Sequence, residues 1–125
     1  MPIGTIVTAY RGGRVVFVEK SFTDDNWQWW DQANVVIVLH DDSTYGRYVH
    51  LTQNGAVVER FQIVAQGDTI GLSGSSGTNG GPHLHFDVTR DCPTYGCKTI
   101  PVYFKNTAAH PDGLVTGKSY TAEPY

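Results

Sequence analysis

Two histidines open the segment His83-Leu84-His85-Phe86-Asp87-Val88-Thr89. Its alternation of polar and apolar residues predicts a strand with His83, His85, Asp87 and Thr89 on one face and Leu84, Phe86 and Val88 on the other. A His-x-His pair on a strand face can present imidazole nitrogens to one metal ion or one substrate, or can simply sit on a solvated face. The approach to the pair favours a site. Small residues from Ser73 to Gly81 run through Pro82 into it, and such a loop lets backbone or ligand come close. The stretch from Thr44 to Leu51 carries a third histidine, with Tyr48 and His50 expected on one face and Gly46 a gap beside them. His50 reaches the same cleft if the two strands are neighbours; otherwise it is a hydrogen-bonded residue at a strand end. His40, before Asp41-Asp42, and His110, before Pro111-Asp112-Gly113, read as turn residues.

Other chemistries lose their motifs. The glycine-rich loop has no Gly-Lys-Ser/Thr ending for phosphate cradling, and no Gly-x-Ser-x-Gly elbow offers a serine nucleophile. Trp27, Trp29 and Trp30, flanked by Asp25, Asn26 and Asp31, either stack on sugar rings and peptide side chains or pin a long loop to the body of the domain.

The elements that must position these residues are strands. Fourteen glycines and six prolines cut the chain into short runs rich in Val, Ile, Thr, Tyr and Phe. Ile3 to Tyr10 and Arg14 to Glu19 read as a hairpin across Arg11-Gly12-Gly13. Val35 to His40 and Thr44 to Leu51 read as a second, and Gln62 to Ala65 with Thr69 to Leu72 as a third across Gln66-Gly67-Asp68. Pro101 to Phe104 adds a possible further strand, and the one helix candidate is a turn or two within Trp27 to Ala33. The alternation places Leu84, Phe86 and Val88 in the core with Val36 and Val38. From Asn106 onward the chain is polar and irregular, and either wraps the barrel or hangs loose.

With 125 residues, 40% of them hydrophobic, one domain with a real core is expected. A net charge of −3, with the nine basic residues scattered singly, leaves no stripe for a phosphate backbone and argues against nucleic acid. The longest apolar run, Val35 to Leu39, is far too short to span a bilayer, and Met1 to Thr5 has none of the features of a secretory signal. Cys92 and Cys97 bracket a short loop that can close as a disulfide or remain two thiols.

Taken together, Gly4-Thr5-Ile6-Val7, Tyr48-Val49-His50-Leu51, the run from Gln66 to Gly77 and Gly81-Pro82-His83-Leu84-His85-Phe86-Asp87 resemble the lysostaphin-like (LytM-type) zinc metallopeptidases, over a span from Gly4 to about Val88. The resemblance implies an all-β fold, an antiparallel, barrel-like sheet of duplicated hybrid motif architecture. It sets a peptidase domain at 1–105 and an irregular tail at 106–125. It implies hydrolysis of peptide bonds in bacterial peptidoglycan, with Zn2+ as cofactor, peptidoglycan peptides as partners, no membrane span in this chain and an extracytoplasmic location. That location in turn favours an oxidised Cys92–Cys97 pair.

Position by position, the resemblance makes His85 the zinc ligand of the pair, and His83 and His50 the two non-ligand histidines that act on the metal-bound water and the scissile carbonyl. Zinc lowers the pKa of its water toward ~7, where neutral imidazoles can accept and return the proton. The family pattern also has a His and an Asp upstream of the segment matched by Met1 to Thr5, whereas here no His precedes His40 and no Asp precedes Asp24, so the zinc site is expected to be incomplete in this chain and the chain as given inactive. Three explanations stand side by side. The chain is a piece of a longer exported enzyme, which is the expectation; or it is a degenerate domain that binds cell wall or activates a partner hydrolase; or the site is rebuilt from other residues, His110 and Asp112 being the nearest pair. A biotinyl or lipoyl carrier barrel, suggested by the hairpin at Gly67-Asp68, is opposed by the lack of any lysine between Lys20 and Lys98.

Overall fold

The structure is a computed structural model describing residues 1–24, 26, 31–94 and 96–121. Seven strands account for its regular structure: β1 (Ile6–Thr8), β2 (Gly13–Glu19), β3 (Asn34–Leu39), β4 (Thr44–Ala56), β5 (Ile63–Val64), β6 (Thr69–Ser73) and β7 (His85–Arg90). All pairings are antiparallel, in the order β1-β6-β4-β3-β2-β5, with β7 added to β4. No helix occurs among the described residues. The segment Trp27 to Trp30, with its three tryptophans and most of the helix candidate, lies outside them.

The apolar run of β3 is explained by its central place. Val36 and Val38 enter a core cluster with Val15, Tyr48, Leu51 and Ile70, while Val35 and Ile37 pack on the opposite face with Val49 and Ala33. A strand flanked by partners on both edges and buried on both faces reads as a continuous apolar run from Val35 to Leu39, after Asn34, whose amide bonds Leu51 O and Phe22 O. β4 is the organising strand. Its first half, Thr44 to Val49, pairs with β3 on one side and β7 on the other, and its second half pairs with β6.

The second hairpin matches the sequence reading, with β3 and β4 joined at Asp41-Asp42-Ser43. The first and third do not. β1 pairs with β6 rather than β2, and β5 pairs with β2 rather than β6. Arg11-Gly12-Gly13 and Gln66-Gly67-Asp68 are therefore corners between distant partners: Gly67 N donates to Ala9 O at 2.9 Å, and Ala9 N to Asp68 O at 2.9 Å. Turn chemistry marks where a strand ends but carries no information about which strand lies beside it. Pro101 to Phe104 forms no strand; the segment is attached through the Thr89–Thr99 bridge and the Ile100 N to Val88 O bond.

Across β3, β4 and β7 the register sets Val36, Tyr48 and Phe86 side by side, and likewise Val35, Val49 and His85. Phe86 packs in tilted contact against Tyr48 at 4.9 Å and Tyr10 at 5.3 Å between ring centroids. Leu84 and Phe86 are only partly buried against the core cluster, whereas Val88 is fully buried. Beyond the sheet, the Phe104 ring meets Tyr10 at 5.7 Å and Phe104 N donates to His110 Nε2 at 2.9 Å, so this part of the C-terminal segment lies on the body of the domain. Cys92 and Cys97 form a disulfide, with Cα atoms 5.9 Å apart.

Candidate active site

His50, His83 and His85 converge. The ring centroids of His50 and His83 lie 4.8 Å apart and those of His50 and His85 6.1 Å apart. Strand alternation alone does not produce this meeting. His85 stands opposite Val49, so an unbroken strand would turn the next residue, His50, to the core face with Tyr48. Tyr48 does enter the core, but His50 has φ of +64°, a left-handed conformation uncommon for a non-glycine residue. The expectation that Tyr48 and His50 share a face is thus corrected: the backbone twists where β4 changes partner from β7 to β6, and the imidazole joins the other histidines.

The glycine-rich loop forms the rim. The His50 Nδ1 bonds the Ser76 carbonyl at 2.7 Å and the His83 Nδ1 bonds the Gly81 carbonyl at 2.9 Å, while Gly74 bridges to His83. A carbonyl can only accept, so both rings, when neutral, hold their proton on Nδ1 and keep a lone pair on Nε2. Burial lowers the pKa of His50 below its ordinary value; the Ser76 carbonyl opposes this and the neighbouring His83 and His85 reinforce it. His50 is thereby kept in the form that accepts a proton.

Sequence reasoning missed the residues that hold the loop. Asp24 accepts from Ser75 N at 2.7 Å and from Thr52 Oγ1 at 2.5 Å, and Asn26 Oδ1 accepts from Gly77 N at 2.6 Å. Buried Asn34 donates through Nδ2 to Leu51 O at 3.0 Å and Phe22 O at 2.7 Å, and its backbone N donates to Ser76 Oγ at 3.0 Å. Ser76 Oγ donates to Leu51 O at 2.7 Å, one residue beyond His50. In the sequence these are ordinary turn formers, and nothing in their spacing shows that they meet.

His85 is backed by a carboxylate, its Nε2 lying 2.8 Å from Asp87 Oδ2. Asp87 is half of an ion pair with Arg47. Burial pushes the Asp87 carboxyl up, but the bonds from His85 and Arg47 and the Arg47 charge outweigh it, and the group stays below the usual carboxylate range. On the same face Val35, Ile37, Tyr45, Arg47 and Val49 line an open groove of about 450 Å3. Among the described residues no group of three His, Cys, Asp or Glu could hold a metal ion. The carboxylate-backed His85 suits one ligand position of a zinc site, but the described donor set does not complete one.

An all-antiparallel, curled sheet is the fold of the lysostaphin-like peptidase domains. It superposes on the catalytic domain of lysostaphin from Staphylococcus simulans with a TM-score of 0.59 at 30% identity, over 74% of this chain and 63% of that one. A zinc containing peptidase from Vibrio cholerae gives a TM-score of 0.59 at 33% identity, over 75% of this chain and 26% of that one. The pattern of peptidase family M23 matches residues 1–96, and the chain belongs to that family. Peptidoglycan DD-endopeptidase ShyA of Vibrio cholerae is 35% identical over 104 residues, 82% of this chain and 22% of ShyA. The chain spans about a fifth of the length of such curated relatives, 18% in the case of ShyB.

Proposed function

We propose that the chain is the peptidase domain, over 1–105, of an extracytoplasmic zinc endopeptidase that hydrolyses peptide bonds of bacterial peptidoglycan, with 106–125 as its tail. The observation that carries this reading is the meeting of three imidazoles at one rim with their protons assigned by fixed partners. The peptidoglycan endopeptidase named among its relatives supports the substrate class.

In this reading His50 and His83 are the catalytic histidines. Each has a lone pair on Nε2 that can take a proton from the attacking water, and a ring protonated there can then donate to the developing oxyanion; each is oriented by a backbone carbonyl of the loop. The groove beside them receives the peptide in an extended form. His85 is this chain's zinc ligand, and the further ligands of a three-ligand site come from residues other than those described.

The test uses the full protein as its natural gene encodes it, incubated with purified cell wall and analysed by mass spectrometry for released peptides. One bound zinc and peptide release are expected. His50→Ala or His83→Ala should abolish turnover with the metal retained, and His85→Ala should lose the metal. A filled zinc site without hydrolysis of any cell-wall peptide would support a binding or partner-activating domain instead. Full activity from the 125 residues alone would overturn the assignment of the ligands.

A further inference from the structure

Asp87 is the meeting point of two side chains from opposite directions. Its Oδ1 accepts from Arg47 Nε at 2.6 Å, and its Oδ2 accepts both from Arg47 Nη2 at 2.8 Å and from His85 Nε2 at 2.8 Å. The register makes this possible, since Arg47 lies directly opposite Asp87, and Val49 opposite His85, along β4 and β7. Arg47 is tied down a third time, Nη1 donating to Thr94 O at 2.6 Å in the loop closed by Cys92 and Cys97. The Arg47 and Asp87 side chains are 10% and 12% exposed, against 52% for His85.

These burials differ for a reason. A half-exposed histidine on a strand has little packing to fix its ring, whereas a two-point guanidinium fork fixes both oxygens of a carboxylate in one plane. A buried ion pair is seldom worth more to stability than an apolar pair of the same size, so stability alone does not account for its presence. We propose that Arg47 and Asp87 are positioning residues that lock the His85 imidazole with its proton on Nε2 and its lone pair on Nδ1, the Thr94 carbonyl steadying the fork. A carboxylate cannot donate, so the 2.8 Å contact requires the proton on Nε2 whenever the ring is neutral. The use of the bare Nδ1 as a metal-binding atom rests on the function proposed above; the locking itself does not.

The experiment reads the His85 ring in the 125-residue chain, by nitrogen-15 correlation spectra of the imidazole and the solvent-exchange rate of its Nε2 proton, beside the melting temperature. Peptide hydrolysis is not read, so an inactive chain still tests the proposal. The wild type should show a bare Nδ1 and a protected Nε2 proton. Asp87→Ala should speed exchange of that proton by about tenfold or more, the worth of one charge-assisted hydrogen bond. Asp87→Glu should restore part of the protection. Arg47→Lys keeps the charge but loses the fork, and should speed exchange although the backbone spectrum shows the native fold. A wild-type proton on Nδ1, or an Asp87→Ala rate equal to wild type, overturns the proposal. If Asp87→Ala does not fold, Arg47→Lys decides alone: an unchanged His85 rate in a folded protein reduces the pair to a structural ion pair.

Discussion

His50 donates its Nδ1–H to the carbonyl of Ser76 at 2.7 Å, and the Ser76 hydroxyl in turn donates to the carbonyl of Leu51, the neighbour of His50, at 2.7 Å. A strand and a loop 26 residues apart in sequence are thereby closed into one unit at the base of the site.

Ser76→Ala should cost about 1–3 kcal/mol, because the hydroxyl is fully buried and both accepts from Asn34 N and donates to Leu51 O. Urea unfolding measures this. A cost near zero would mean that water replaces the hydroxyl and that the loop is not fixed through it.

Gly74→Ala should be harmful where Gly80→Ala is not. A methyl group on Gly74 would run into the Asp24 carboxylate and the backbone of Thr52, and neither can retreat without releasing the loop, whereas on Gly80 the nearest atom would be 3.5 Å away. The expected cost is about 1–3 kcal/mol for the first and within about 0.5 kcal/mol for the second. Melting curves of the two variants side by side provide the comparison, and equal losses would contradict it.

Alkaline pH should weaken the fold through Tyr48. Burial pushes its hydroxyl up to about 12; the Tyr10 N–H donated to its oxygen at 2.7 Å acts in the opposite sense. In the unfolded chain the group ionises near ~10, so the folded state binds more protons between about 10 and 12. The stability it contributes is complete below pH ~10 and is lost as pH rises to about 12, by about 2–3 kcal/mol. Unfolding at pH 9 and pH 11.5 should show this fall, and Tyr48→Phe should lack that share of it. An equal fall in both proteins would assign it to other groups.

Reduction of Cys92–Cys97 should remove about 2 kcal/mol in the chain-entropy treatment, since the closed loop is short. Melting with and without reductant reads the difference, and identical melting temperatures would show that Arg47 and Thr89, which bond the carbonyls of Thr94 and Cys92, hold the loop unaided.

The strands and the identity of the histidines were legible because period-two alternation and β-branched runs are local signals. The β3–β4 hairpin was legible too, its turn joining true neighbours. What escaped were the relations between distant segments. The exchange of partners that sends β1 to β6 and β5 to β2 leaves no trace in the turns. The left-handed φ of His50 overrides the very alternation used to place it, and the predicted meeting of the three histidines holds through a backbone twist that no pattern of residue types reveals. Asp24, Asn34 and Arg47 are likewise indistinguishable, in sequence, from residues on a solvated surface.

β7 stands off the main path of the sheet, joined to β4 and, by the Thr89–Thr99 bridge, to the C-terminal segment. It carries His85 and Asp87, while His50 belongs to the β4 backbone that the remaining strands surround. If this one pairing opened, His85 would leave His50 while the strands of the β1-β6-β4-β3-β2-β5 path kept their partners, so a local opening would take the site apart short of global unfolding. Amide hydrogen exchange along β7, set beside that of β3 at the centre of the sheet, would measure how firmly a single strand is annealed to its neighbour.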